Sequence, residues 1–385
     1  MRRFHLSLLA FVGVLALLAT LAGRAGDSGR ATEYAAPPEP LKTFTVAPMP
    51  ERSSLFQQSD GWIGGDGAYS VAISAERTLW LFSDTWVGKI RDGKRTEATI
   101  VNNTAAWQDG HDANASVRFF VSRDTDGRPN ALIRPVDGHG WFWLGAGACA
   151  NGRLYVFLPQ FLKKGEGAFG FAQVGLWLGV VSNPLAPPTA WHVEQQRVPF
   201  ALFTGEHIRS FGTAVLLSDG FLYVYGTDER RHAFGLDRRL IVARVPVEYA
   251  DEFAAWRFYQ DGEWKNDPAA ATPVASAIGP EGSVTYLPRI HGYVLVYTEL
   301  GLSDRVLART ALRPWGPWSA PVEIYRCPEM KDDKRLFCYG AKAHPSEAAN
   351  DELVLTYFVN STDFWQVAKD ARLYWPRFVR VSFKD

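Results

Sequence analysis

Asp66 and Glu281 are the carboxylates whose settings best suit chemistry. Asp66 lies in Gly64-Gly65-Asp66-Gly67, where the flanking glycines let a ligand approach the backbone closely. Glu281 lies in Gly279-Pro280-Glu281-Gly282. Two carboxyl groups converging beside tryptophans suit cleavage of a glycosidic bond. One protonates the leaving oxygen, and the other activates water or attacks the sugar. Asp66 is expected as base or nucleophile, and Glu281 as acid. Each has a structural alternative: an Asp that caps its own turn, common in Gly-Asp-Gly, and a solvated loop Glu.

A second group of residues would bind rather than react. Asp84 and Asp228 follow apolar runs at equivalent positions, and Glu299 follows a third. Their structural alternative is a carboxylate accepting backbone N–H groups at a strand end. His207 and Arg209 suit a sugar hydroxyl or a carboxylated substrate, or else a solvated or paired role. Lys342 and His344 alternate along one strand, so both are placed on one face, with a salt bridge to a nearby acid as the alternative. Asn103, in Asn102-Asn103-Thr104, is placed to orient Asp66 or Asp84, and Asn360 ends an apolar run. Trp86 and Trp143 are candidate sugar platforms, with core packing as the competing role. The sequence contains no phosphate-cradling Gly loop, paired-His metal helix or G-x-S-x-G elbow.

The elements that must position these residues repeat. Gly61 to Trp86 reads as a glycine-loosened turn, a strand, a short turn and an apolar strand ending in Ser83-Asp84-Thr85. Cruder copies start at Trp143, Ser210, Glu281 and Tyr339. Aligned on Gly65, Gly145, Gly212, Gly282 and Gly340, the steps are 80, 67, 70 and 58 residues. So regular a grammar implies an array of like supersecondary units. Asn151-Gly152, Asp219-Gly220 and His291-Gly292 supply hairpin turns tolerant of positive φ. Helical periodicity is weak throughout, with at most one or two turns near Tyr249 to Phe258. The expectation is an all-β, five-bladed β-propeller of four-stranded antiparallel blades. Its fifth unit lacks one strand, which Leu41–Ala47 would supply. In that topology the start of each first strand and the end of each second strand meet on one face, which gathers the residues named above.

Lys plus Arg equals Asp plus Glu, 41 against 41, so no long-range field would draw in nucleic acid. Arg2 and Arg3 precede an apolar run from Leu6 to Leu21 and small residues to Ala25, the layout of a secretory signal. The organisation expected is a signal peptide over 1–25, a flexible leader over 26–40 and the propeller over 41–385. The mature protein is expected to be secreted or periplasmic, monomeric and without stable membrane insertion, with a polysaccharide or oligosaccharide as its partner. In an exported chain Cys327 and Cys338 suit closure of a loop, while Cys149 reads as a buried thiol. No cofactor is expected. A structural metal ion in the central channel would draw on strand-end carboxylates and carbonyls, which leave no motif.

GGDGAYSVAI…RTLWLFSDTW, the NNTAAW that follows, and WGPWSAPVEIY at Trp315 to Tyr325 resemble the domain of unknown function family 4185. The resemblance spans Asp60 to Phe383. It implies kinship with five-bladed β-propeller glycosidases, some members being endo-acting on arabinan-type polysaccharides. In such glycosidases an Asp of blade one, an Asp of blade two and a Glu of blade three do the work. Asp66 matches the first. Blade two opens WFWLGAG and offers no acid. Glu206, in Gly205-Glu206-His207, is the blade-three counterpart. Two readings follow: an exported glycoside hydrolase, and a non-catalytic carbohydrate-binding propeller. Two carboxylates about 5–9 Å apart across an open pocket favour the first, and acids held in salt bridges the second.

Overall fold

Turn chemistry sets the outline of the chain. Asn151-Gly152 and Asp219-Gly220 both take positive φ at each residue, the two-residue turn that matches the twist of a hairpin. His291 is left-handed as well, but it closes a short 3-10 turn over Pro288–Ile290 and Gly292 starts the next strand. A computed structural model describes residues 38–112, 114–167, 169–232, 235–331, 333–349 and 351–383. The expected signal peptide and most of the leader lie outside them. Among the described residues no helix is long and apolar enough to cross a membrane.

The described strands form five antiparallel sheets of four strands or more, a three-stranded sheet and a two-stranded ribbon. The first sheet pairs Tyr69–Ala72, Arg77–Phe82, Thr104–Asp109 and Ser116–Phe120 in order. The second runs through Gly147–Ala150, Arg153–Lys163, Phe171–Val181 and Val193–Arg197. The third has three twelve-residue strands, His207–Ser218, Phe221–His232 and Gly235–Pro246, followed by Arg257–Gln260. Gly282–Leu287, Gly292–Thr298, Arg305–Ala311 and Val322–Arg326 make the fourth. The fifth joins Leu336–Ala343, Glu352–Ser361 and Arg377–Phe383 to the early strand Phe44–Pro48, which pairs Phe44 with Phe383. The expected closing strand is therefore present, starting three residues later and ending one later than the alternation suggests.

Neighbouring sheets share cores in chain order. Tyr69, Leu79 and Leu81 pack with Phe142, Leu154 and Val156. Phe157 packs with Val224 and Ile241, and Tyr225 with Val284 and Tyr297. Val294 and Val296 meet Leu353, Leu355 and Val359, which belong to one cluster with Trp80, Phe56 and Phe378. Full burial of each such side chain contributes about 1.5–3 kcal/mol. The circuit closes between fifth and first sheets, where Ser70 Oγ and His344 Nδ1 are 2.8 Å apart.

Two departures from the sequence reading matter for the site. The run Thr99–Gln108 is split between two sheets. Lys94–Val101 belongs to the three-stranded sheet with Asp60–Gly65 and Thr85–Arg91, and the first sheet resumes at Thr104. The cause is the Asp92-Gly93 turn, positive in φ at both residues, which folds an extra hairpin out of the first sheet. The second departure concerns the repeated glycines. Gly212 and Gly340 have φ of 87° and 65° and lie where their inner strands shift register against the next strand. They mark bulges, which re-aim the side chains beside them.

Candidate active site

Asp66 is placed by glycine geometry. It sits between the edge strand Asp60–Gly65 and the inner strand Tyr69–Ala72. Gly64 and Gly67 on either side take φ of 132° and 84°. A Cβ on Gly64 would fall 2.8 Å from the Tyr374 carbonyl oxygen, so a side chain there is excluded. The Asp66 N–H donates to the Asp84 carbonyl at 3.2 Å, and the Ser83 N–H donates to the Asp66 carbonyl at 2.9 Å. The two aspartates are thereby locked side by side through their backbones.

Their side chains differ. Asp66 Oδ2 accepts from the Tyr339 hydroxyl at 2.7 Å and the Tyr374 hydroxyl at 2.8 Å. Its Oδ1 is buried with no hydrogen-bond partner among the described residues. Burial raises the Asp66 pKa to about 8, helped by the charges of Asp84 and Glu281 and opposed by the two tyrosines. Asp84 Oδ1 accepts from Trp143 Nε1 at 2.8 Å and Asn102 Nδ2 at 3.1 Å. Burial raises its pKa to about 6, and those two donors oppose the rise. Burial also pushes both tyrosine hydroxyls well above their usual range, so they stay protonated and able to donate.

Glu281 precedes the fourth inner strand, as expected, but is ion-paired: Lys342 Nζ lies 2.8 Å from its Oε2. Lys342 is buried, and its ammonium also donates to the carbonyls of Gly67 at 2.6 Å and Gly340 at 2.7 Å, over the Tyr69 ring. One cation thus ties together the segments that carry Asp66, Glu281 and Tyr339. Among the described residues no cluster of three or more His, Cys, Asp and Glu is arranged to hold a metal ion.

The remaining expected residues separate. His344 is buried between Ser70 and Thr356 at 2.8 and 2.7 Å, and burial plus the Lys342 charge hold its pKa well below the usual value. It is a neutral packing residue, not a ligand in an open channel. Asn103 is fully buried and bonds the backbone of Ile133 and Phe142; its neighbour Asn102 is the one that reaches Asp84. Trp86 is 6% exposed and packs near Arg95, so it presents almost no ring face. Trp143 packs its ring on Phe161 at 4.1 Å and serves the site through its N–H. Asp228 accepts from His207 at 2.8 Å, with Arg209 and Arg230 at 3.5 and 3.4 Å. Burial pushes its pKa up, but these partners outweigh burial and lower it. Glu299 pairs with Arg305 at 2.7 Å. Glu206 is exposed, and among the described residues no hydrogen bond or ion pair joins it to Asp66 or Asp84. Asn360 is half-buried, and its hydrogen bond to Tyr339 works to lower the tyrosine pKa.

Tyr374 and Arg95 escape sequence reasoning. Tyr374 sits in the loop before the last strand with φ of 70°, and no periodicity marks it. Arg95 is buried and donates to the carbonyls of Ile63, Val367, Asp370 and Leu373 at 3.0, 2.6, 3.3 and 2.7 Å. It pins the strand before Asp66 to the loop before Tyr374. A cleft of 590 Å³ lined by Asp60, Lys89, Glu97 and Arg128 lies along the three-stranded sheet. A smaller one of 140 Å³ lies at the far end of the fourth and fifth inner strands. Neither includes Asp66 or Asp84.

The fold and site define an all-β, propeller-like protein with paired carboxyls where its first and fifth sheets meet. The family model described as Domain of unknown function (DUF5005) matches residues 51–383, and the chain belongs to that family. This corrects the family number suggested by the sequence motifs. No curated protein matches the sequence significantly. Among solved structures, a candidate hydrolase from Bacteroides ovatus ATCC 8483 matches with a TM-score of 0.70 at 18% identity, over 88% of this chain and 90% of that one. The catalytic domain of the Coprinopsis cinerea GH62 alpha-L-arabinofuranosidase matches at 0.47 and 11% identity, over 88% and 96%. The GH43_1 enzyme from Xanthomonas citri complexed with xylotriose matches at 0.42 and 15%, over 88% and 90%. The first shares the fold; likenesses as distant as the other two carry no weight for function.

Proposed function

We propose that this chain is an exported glycoside hydrolase, a five-bladed propeller acting on a polysaccharide through Asp66 and Asp84. One observation carries the reading. These two carboxyls are backbone-locked neighbours, neither is ion-paired among the described residues, and their environments separate their pKa values, to about 8 and about 6. Environments that split a carboxyl pair assign its roles. At neutral pH Asp66 holds the proton and is the acid for the leaving oxygen. Asp84, held by two N–H donors, is the carboxylate that activates water or attacks the sugar. This reverses the role expected for Asp66 and moves Glu281 from acid to supporting ion pair. Arabinans, galactans and mannans are the substrates to try.

The second reading, a carbohydrate-binding propeller, is favoured by the ion pairs that occupy Glu281, Asp228 and Glu299. Reducing-sugar release from arabinans, galactans and mannans separates the two. Release by the wild type that Asp66→Asn abolishes supports hydrolysis. Retained binding without release supports the second reading.

A further inference from the structure

We infer that Cys327 and Cys338 are joined by a disulfide in the mature protein. The two residues flank a single point of the fourth sheet. Ser303 donates its N–H to the Cys338 carbonyl at 3.0 Å, and the Asp304 carbonyl accepts from the Cys327 N–H at 2.7 Å. Consecutive residues therefore hold the two backbones next to one another. Both are free thiols in the structure, and the two side chains are close enough that Cys338 is the largest influence on the Cys327 thiol. Both belong to the core shared by the fourth and fifth sheets and are 1% and 0% exposed. Cys149 is half-buried on the second sheet's inner strand and lines a different core, so it does not compete.

The chemistry places the step in folding. Hydrogen bonding to Cys338, then burial, raises the Cys327 pKa far beyond the ordinary thiol range. The thiolate is the species that reacts, so the closed core resists oxidation and the bond forms while the chain is still open. Each thiol gives up a proton and an electron and the S–S bond forms. A disulfide donor, either a protein disulfide or oxidised glutathione, takes both electrons and becomes two thiols. The product closes the segment between Val322–Arg326 and Leu336–Ala343. It also anchors Cys338 immediately before Tyr339, whose hydroxyl donates to Asp66. The inference does not depend on the reaction proposed above.

The full chain should be reduced, denatured and refolded in a redox buffer of reduced and oxidised glutathione, then denatured with an alkylating agent. We expect alkylation at Cys149 alone, a Cys327–Cys338 cross-linked peptide and an intact mass lower by two hydrogens. The melting temperature should lie above that of protein refolded with reductant by roughly 5 °C. Cys327→Ser should lose the cross-link and that difference together. Three alkylated cysteines, or a cross-link through Cys149, would overturn the inference. If refolding yields no soluble protein, the same thiol count on protein secreted through an oxidising compartment decides between the same outcomes.

Discussion

The hydroxyl of Tyr374 lies 2.8 Å from Asp66 Oδ2, a bond between residues 308 apart in the chain. It joins the loop before the last strand to the loop before the first sheet. With the Tyr339 hydroxyl it puts two neutral donors on one buried carboxyl, and both favour the carboxylate over the acid.

Removing either donor should therefore raise the Asp66 pKa further. If Asp66 is the acid, kcat/KM of the wild type follows a bell with limbs near about 6 and about 8, the coupled values of the pair. Tyr374→Phe and Tyr339→Phe should each move the alkaline limb upward by about one pH unit. A downward shift would contradict the assignment.

Asp66 should also govern how stability varies with pH. Its folded pKa, about 8, lies above the ordinary carboxyl value of 3.8, so the folded state binds the proton more tightly than the unfolded state does. Stability then falls as pH rises from about 4 to about 8. Asp66→Asn removes this dependence. Thermal melts should show the variant gaining on the wild type across that window, with the smallest difference at the acid end.

Arg95→Lys should cost about 3 kcal/mol or more in a denaturant titration, because one ammonium cannot serve four buried carbonyls in fork geometry. The tether between the Asp66 segment and the Tyr374 loop would loosen as well, so turnover should fall along with stability.

A chain beginning at Met49 lacks the strand that pairs Phe44–Pro48 with Arg377–Phe383. It exposes the edge of the fifth sheet and should melt well below the full chain. An unchanged melt would contradict the role of that strand in closing the ring.

What the sequence conveys follows from how local each signal is. The hairpins of the five large sheets and the turns at Asn151 and Asp219 are legible because each rests on neighbouring residues, whereas the early strand shows only as a strand missing from the last unit, since its partner Arg377–Phe383 lies at the far end of the chain. The prominence of Asp66 and Asp84 is legible for the same reason, through Gly-Gly-Asp-Gly and Ser-Asp-Thr. The extra hairpin is hidden because its strand runs on into Thr104–Asp109 with no glycine or proline between them, and only the positive φ at Asp92 and Gly93 marks where it turns. Tyr374 and Arg95 were hidden because their partners lie across the fold. The role proposed for Asp66 departs from the one its motif suggests because its protonation state depends on burial and on Asp84, neither of which a motif encodes.

Asp66 and Asp84 are proposed to work as acid and carboxylate partner in glycoside cleavage. Reducing-sugar release from arabinans, galactans and mannans by wild type, Asp66→Asn and Asp84→Asn tests it most directly. The account predicts release by the wild type and a loss of about a hundredfold or more in each variant, with folding intact. Release that survives both substitutions, or binding to a polysaccharide with no release by the wild type, would contradict it.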